Sequence, residues 1–125
     1  MKFHHIGIAT EDINKTIKYI KELMSVINIS DIIYDELQDA SLCMITLEDN
    51  TKIELISGKV VENVLKKRQF LYHTCYSVSN IEETINKLIS MGALQVNDIK
   101  PAILFNNKKV VFLMTELGLI ELVEE

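Results

Sequence analysis

Apolar residues recur along the chain with two periods, and the order of those periods predicts the elements. Residues 2–10 alternate, which puts Phe3, His5, Gly7 and Ala9 on one side of a strand and His4, Ile6 and Ile8 on the other. Asp12 then stands where a helix N-cap belongs. Ile13, Ile17, Ile20 and Met24 return at helical spacing with Lys15, Lys18 and Lys21 outside, an amphipathic helix of about three turns. Strands near Ile29–Tyr34, Ser41–Leu47 and Thr51–Ser57 follow, the last two joined by the hairpin-like Glu48-Asp49-Asn50. The first module, residues 1–57, reads βαβββ.

Residues 58–70 break the pattern with Gly58 and a charged, helix-compatible stretch ending Lys66-Lys67-Arg68-Gln69, a linker whose basic cluster is read as solvated. The order then repeats over residues 71–125. A strand at Leu71–Val78 precedes Asn80, an N-cap with Glu83 at the reciprocal position of a capping box. The helix carries Ile81, Ile85, Leu88 and Ile89 and stops near Gly92. Strands near Leu94–Ile99, Lys109–Met114 and Leu119–Val123 complete the module, with Pro101–Asn107 as the expected mobile lid or rim.

The two modules are copies. Setting His5 on His73 also sets Ile13 on Ile81, Thr16 on Thr84, Ile17 on Ile85 and Ile20 on Leu88 without a gap. With a shift of one residue, Ile53-Glu54-Leu55-Ile56 falls on Ile120-Glu121-Leu122-Val123. Each copy opens with a histidine strand and closes with a glutamate strand. The expected fold is α+β: one domain of two tandem βαβββ modules that form a cupped, eight-stranded mixed sheet with helices on its outer face.

Composition narrows the partners. A chain of 125 residues, 48% hydrophobic and 25% charged, can bury one sizeable core. Its net charge of −5 argues against nucleic acid and anionic membranes, which need a concentrated basic face. No apolar run approaches a membrane span and Met-Lys-Phe-His-His is not a signal peptide, so the expected setting is the cytoplasm and the expected partner a small molecule. Cys43 and Cys75 have no zinc-knuckle or disulfide spacing and are read as buried thiols.

The glutamates carry the chemistry. Glu54 and Glu121 each sit in an apolar strand, where an unpaired charge is expensive. If the modules pair about a pseudo-twofold axis, His5, Glu54, His73 and Glu121 supply two nitrogens and two oxygens to one divalent ion per chain, Co, Mn, Ni, Fe or Zn. Gly7, Ala9, Cys75 and Ser77 keep the same faces small, leaving room for a substrate. The structural alternative is two core histidines and two salt-bridged glutamates, but four such residues placed equivalently in two copies favour the metal. His4 falls on the other face and is read as helix-facing or exposed; Tyr76 is placed near a cavity rim.

At these residues the chain resembles the vicinal oxygen chelate (glyoxalase/bleomycin resistance/dioxygenase) superfamily, whose paired βαβββ modules form a metal-bearing cup. Within it, His4-His5-Ile6-Gly7-Ile8-Ala9, Ile53-Glu54-Leu55, His73-Thr74-Cys75-Tyr76-Ser77-Val78 and Gly118-Leu119-Ile120-Glu121-Leu122-Val123 are most similar to the methylmalonyl-CoA epimerases, and next to the glyoxalase I enzymes. The resemblance implies ligand positions for His5, His73 and Glu121. Glu54 takes the fourth, where the epimerases commonly have glutamine and glyoxalase I enzymes have glutamate. Three departures stand out. The Glu-Glu-Gln-Gly run of those epimerases is Asp35-Glu36-Leu37-Gln38-Asp39 here, with Glu36 one position off; their glycine- and histidine-rich loop is Ile103-Leu104-Phe105-Asn106-Asn107; and their Phe-Tyr in the first helix is Tyr19-Ile20.

Residues and resemblance imply one kind of reaction, removal of a proton α to a carbonyl, with Glu54 and Glu121 as catalytic groups. An epimerase returns the proton to the opposite face of an acyl-CoA thioester. A lactoylglutathione lyase, the alternative, moves it to the next carbon of a thiol adduct. A metal-free binding protein of the same fold would have lost the four ligands. Exposed sheet edges and the resemblance imply a homodimer.

Overall fold

A computed structural model describes all residues 1–125. Its three helices and ten strands make an α+β fold with parallel and antiparallel pairings mixed. The chain divides into two compact units: His5–Tyr72, and Met1–His4 together with His73–Glu125.

The first unit holds the end of β1 (Lys2–Ala9), α1 (Ile13–Leu23), β2 (Val26–Ile29), β3 (Ile33–Asp35), β4 (Ala40–Leu47), β5 (Lys52–Ser57) and α2 (Glu62–Lys66). The Asp12 side chain caps α1 by accepting the Lys15 backbone N–H at 3.1 Å, as expected of an Asp at that place. Strands run in the order β2, β4, β5, β1, with β1 parallel to β5. Helix α1 buries Ile13 and Ile20 against Cys43, Ile45, Ile53 and Leu55. Strand side chains alternate, so Glu54 and Ile56 leave β5 on the face away from α1. Met24, assigned to the apolar stripe, is instead the exposed C-cap of α1.

The second unit repeats this order with β6 (Leu71–Val78), α3 (Ile81–Ser90), β7 (Leu94–Gln95), β8 (Lys100–Ala102), β9 (Lys108–Thr115) and β10 (Gly118–Glu124). Asn80 caps α3, its Oδ1 accepting the Glu83 backbone N–H at 3.0 Å, and Gly92 follows the helix at φ +99°, where a side chain would be strained. Strands run β6, β10, β9, β7, with β6 parallel to β10. Helix α3 buries Ile81 and Ile85 against Val111, Leu113, Ile120 and Leu122. Glu121 and Val123 therefore face the other way, with Cys75, Ala102 and Val110.

The expected eight strands are ten because the second strand of each copy is broken. In the first unit, β2 and β3 both pair with β4, and between them Ser30 Oγ accepts the Met44 backbone N–H at 2.8 Å. In the second, β7 and β8 both pair with β9, and Asn97 Oδ1 accepts the Phe112 backbone N–H at 2.9 Å. Each time a side-chain oxygen replaces a carbonyl of the ladder, so the strand is interrupted without leaving its neighbour's donor unsatisfied. Pro101 and Ala102, expected in the lid, belong to β8. The linker includes α2, and Arg68 after it adopts φ +55° with its guanidinium 5.9 Å from the centre of the Phe70 ring. No helix is long and apolar enough to cross a membrane.

Candidate metal centre

Parallel pairing explains why a histidine and a glutamate meet in each unit. Residues level with one another in a parallel pair point to the same face. Glu54 of β5 is level with Gly7 of β1, and His5, two residues before Gly7, shares its face. Glu121 of β10 is level with Cys75 of β6, and His73 stands two residues before Cys75. The outcome is the same twice. His5 Nε2 lies 3.5 Å from Glu54 Oε1, and His73 Nε2 lies 3.5 Å from Glu121 Oε1. Gly7 has no side chain and Cys75 a small one, so each glutamate has space to reach back toward the imidazole.

All four residues are buried, from 0 to 3% exposed. A carboxylate at that depth loses the hydration that stabilises its charge and needs a cationic partner to offset the loss. The 3.5 Å separation exceeds the usual range of an N–H···O hydrogen bond. It matches two donors that share an ion: ligands about 2.0–2.1 Å from a tetrahedral centre stand roughly 3.4 Å apart. Neutral imidazole nitrogen with carboxylate oxygen also suits first-row divalent ions. The donor chemistry of each pair therefore fits half of such a site.

Other expected residues are placed differently. Glu36 lies exposed in the turn after β3. Its neighbour Asp35 is the buried carboxylate there, and it serves the turn, accepting the Leu37 backbone N–H at 3.0 Å and the Gln38 side chain at 2.9 Å. Tyr76 packs with the α3 cluster and meets Phe3 edge-on with ring centres 6.0 Å apart, away from the Glu121 face. His4 meets the Phe105 ring at 5.5 Å, and Phe105 packs on Cys75, Ala102, Val110 and Val123. Neither cysteine forms a disulfide, and both are buried. Burial pushes the Cys43 thiol up in pKa, partly opposed by its hydrogen bond with Ser30.

Phe112 was not singled out by sequence. Its ring meets the His73 imidazole edge to face, with centres 5.2 Å apart. The signal was available in the repeat, since Phe112 and Met44 occupy equivalent places across from the two glutamates.

A family model of the glyoxalase/bleomycin resistance protein/dioxygenase superfamily matches residues 4–112. The chain belongs to this superfamily. Among curated proteins no sequence matches significantly. Solved structures of superfamily-like fold do. Methylmalonyl-CoA epimerase from Mycobacterium tuberculosis is 21% identical, with a TM-score of 0.83 over 98% of this chain and 87% of that one. A hypothetical protein from Bacillus halodurans C-125 is 26% identical, with a TM-score of 0.76 over 99% and 94%. A variant of Streptomyces coelicolor methylmalonyl-CoA epimerase, in complex with 2-nitronate-propionyl-CoA, is 18% identical, with a TM-score of 0.74 over 100% and 97%. The likeness to the epimerases establishes the fold of this superfamily member.

Proposed function

We propose that this protein is a divalent-metal-dependent isomerase that removes and returns a proton α to the carbonyl of an acyl-CoA thioester, in the manner of a methylmalonyl-CoA epimerase. One ion per chain would be held by His5, Glu54, His73 and Glu121. The observation that carries this reading is the repeated buried pair, imidazole Nε2 and carboxylate Oε1 at 3.5 Å in each unit. The acyl-CoA analogue bound by the Streptomyces coelicolor relative supports the substrate class.

When bound, the ion supplies Lewis-acid stabilisation of the negative charge that develops on the substrate oxygen. The protein's own residues do the rest. His5 and His73 would hold the ion, each through one imidazole nitrogen. Glu54 and Glu121 each have two oxygens, so one can face the ion while the other takes or gives a proton, one carboxylate on each face of the substrate. Their burial directs the proton between substrate and carboxylate, and the carboxyl proton exchanges with solvent between turnovers.

The test is metal content followed by isotope exchange. The reading expects about one equivalent of Co, Mn, Ni, Fe or Zn per chain and metal-dependent incorporation of solvent deuterium at the α-carbon of methylmalonyl-CoA. A protein that binds no ion at saturating concentration and exchanges no proton would refute it. Glu54 itself favours a second reading, a lactoylglutathione lyase, because glutamate is the residue of those enzymes at this position. Glu54→Gln separates the two: a glutamine keeps a coordinating oxygen but cannot act as a base. The epimerase reading expects metal and much of the rate to survive. The lyase reading expects turnover of the methylglyoxal–glutathione adduct in the parent protein and a fall of about 10²–10⁴ in the variant.

A further inference from the structure

Each glutamate strand is flanked by a strand that carries no candidate ligand, yet places a side chain opposite the carboxylate. Phe112 of β9 pairs with Glu121, and Met44 of β4 pairs with Glu54. Directly opposed residues of an antiparallel pair share a face, so Phe112 joins His73 and Glu121 on theirs. Its ring stands edge to face with the His73 imidazole, the planes at 86° and the centres 5.2 Å apart. The backbone of Phe112 is fastened on both sides by the break between β7 and β8: its N–H donates to Asn97 Oδ1 at 2.9 Å and its carbonyl accepts the Val96 N–H at 2.9 Å. A nearly buried ring on a doubly anchored backbone has little freedom to turn.

The terminal torsion of a histidine is broad and is settled by what packs against the ring. A ligand nitrogen, by contrast, must point its lone pair along one direction. We propose that Phe112 is a positioning residue for the metal centre, setting the plane of the His73 imidazole so that Nε2 faces Glu121; in the first unit Met44 stands in the equivalent place. Methionine is unbranched, with several rotatable bonds and no plane to impose. The two strand pairs thus differ at one place: a planar ring stands across from Glu121 and a flexible thioether across from Glu54. The inference rests on the metal reading of the four residues, and its test has one arm that does not.

The decisive substitution is Phe112→Met, which gives the second half the side chain of the first at little change in volume; Phe112→Leu and Phe112→Tyr accompany it, with helix content and melting checked by circular dichroism. In the metal-free protein, the His73 Cε1–H proton resonance should be a single line displaced by the Phe112 ring current. It should lose that displacement and broaden in Phe112→Met and Phe112→Leu and keep it in Phe112→Tyr. A resonance of the same shift and width in Phe112→Met overturns the positioning role whatever the metal does. In Co(II) titrations, Phe112→Met and Phe112→Leu should weaken binding by about 10–100-fold and alter the visible absorption bands, Phe112→Tyr should restore both to within about threefold, and Met44→Leu should stay within about threefold of the parent. Equal affinity and an unchanged spectrum in Phe112→Met overturn the proposal. A parent protein that binds no Co(II) while His73 remains held refutes the metal reading, and with it the role at the metal.

Discussion

The carboxylate of Asp49 closes the turn between β4 and β5 by accepting the Thr51 backbone N–H at 3.0 Å. That bond, with the Thr51 hydroxyl, holds its pKa below the ordinary value of 3.8. A folded-state pKa below the unfolded one stabilises the fold above the unfolded value, and the contribution is lost as pH falls through the folded value. The group is exposed, so solvent keeps the effect small. In an acid titration followed by NMR, the Thr51 amide should shift with a midpoint below 3.8, and Asp49→Ala should abolish the shift; a midpoint at or above 3.8 would contradict the assignment. Asp35 is spent in the same way on the turn after β3. Glu54 and Glu121 differ from both, because each faces an imidazole at depth and serves no turn.

Helix caps were readable from the sequence because they depend on neighbours in the chain. Asp12 and Asn80 each accept a backbone N–H three residues on, and Asp12→Ala or Asn80→Ala should each cost about 0.5–2 kcal/mol in urea unfolding without changing the folded far-ultraviolet spectrum. A loss below about 0.2 kcal/mol at both would show that tertiary packing alone holds the helices. The histidine and glutamate strands were legible for a similar reason: His5 and His73, Glu54 and Glu121 line up when the chain is laid on itself. The broken second strands were not legible. Nothing local marks Ser30 or Asn97 as an acceptor for Met44 or Phe112, residues more than ten positions away that adjoin them only once the strands have paired. Glu36 illustrates the converse: resemblance drew attention to it, but the turn leaves it in solvent and buries Asp35.

At the scale of the molecule, each unit ends on a weak edge. The outermost strand of the second unit, β7, is two residues long; Leu94 there is 70% exposed and pairs with Met114, itself 47% exposed. The outermost strand of the first unit, β2, exposes Ile27. Open backbone donors beside apolar side chains invite pairing with another chain, and a twofold arrangement satisfies them with the fewest distinct contacts. These edges favour a homodimer, which multi-angle light scattering should detect as a mass about twice the 14.3 kDa of the chain. Lysine substitution on the β7 edge, Leu94→Lys with Met114→Lys, should shift the mass toward the monomer if that edge is used, and leave it unchanged if the β2 edge is. A mass of 14.3 kDa from micromolar to millimolar concentration would rule the dimer out. The four proposed ligands lie on one chain, so a monomer made by edge substitution should still take up one equivalent of ion, with affinity within about threefold of the parent; loss of the metal along with the partner would mean that the second chain completes the site.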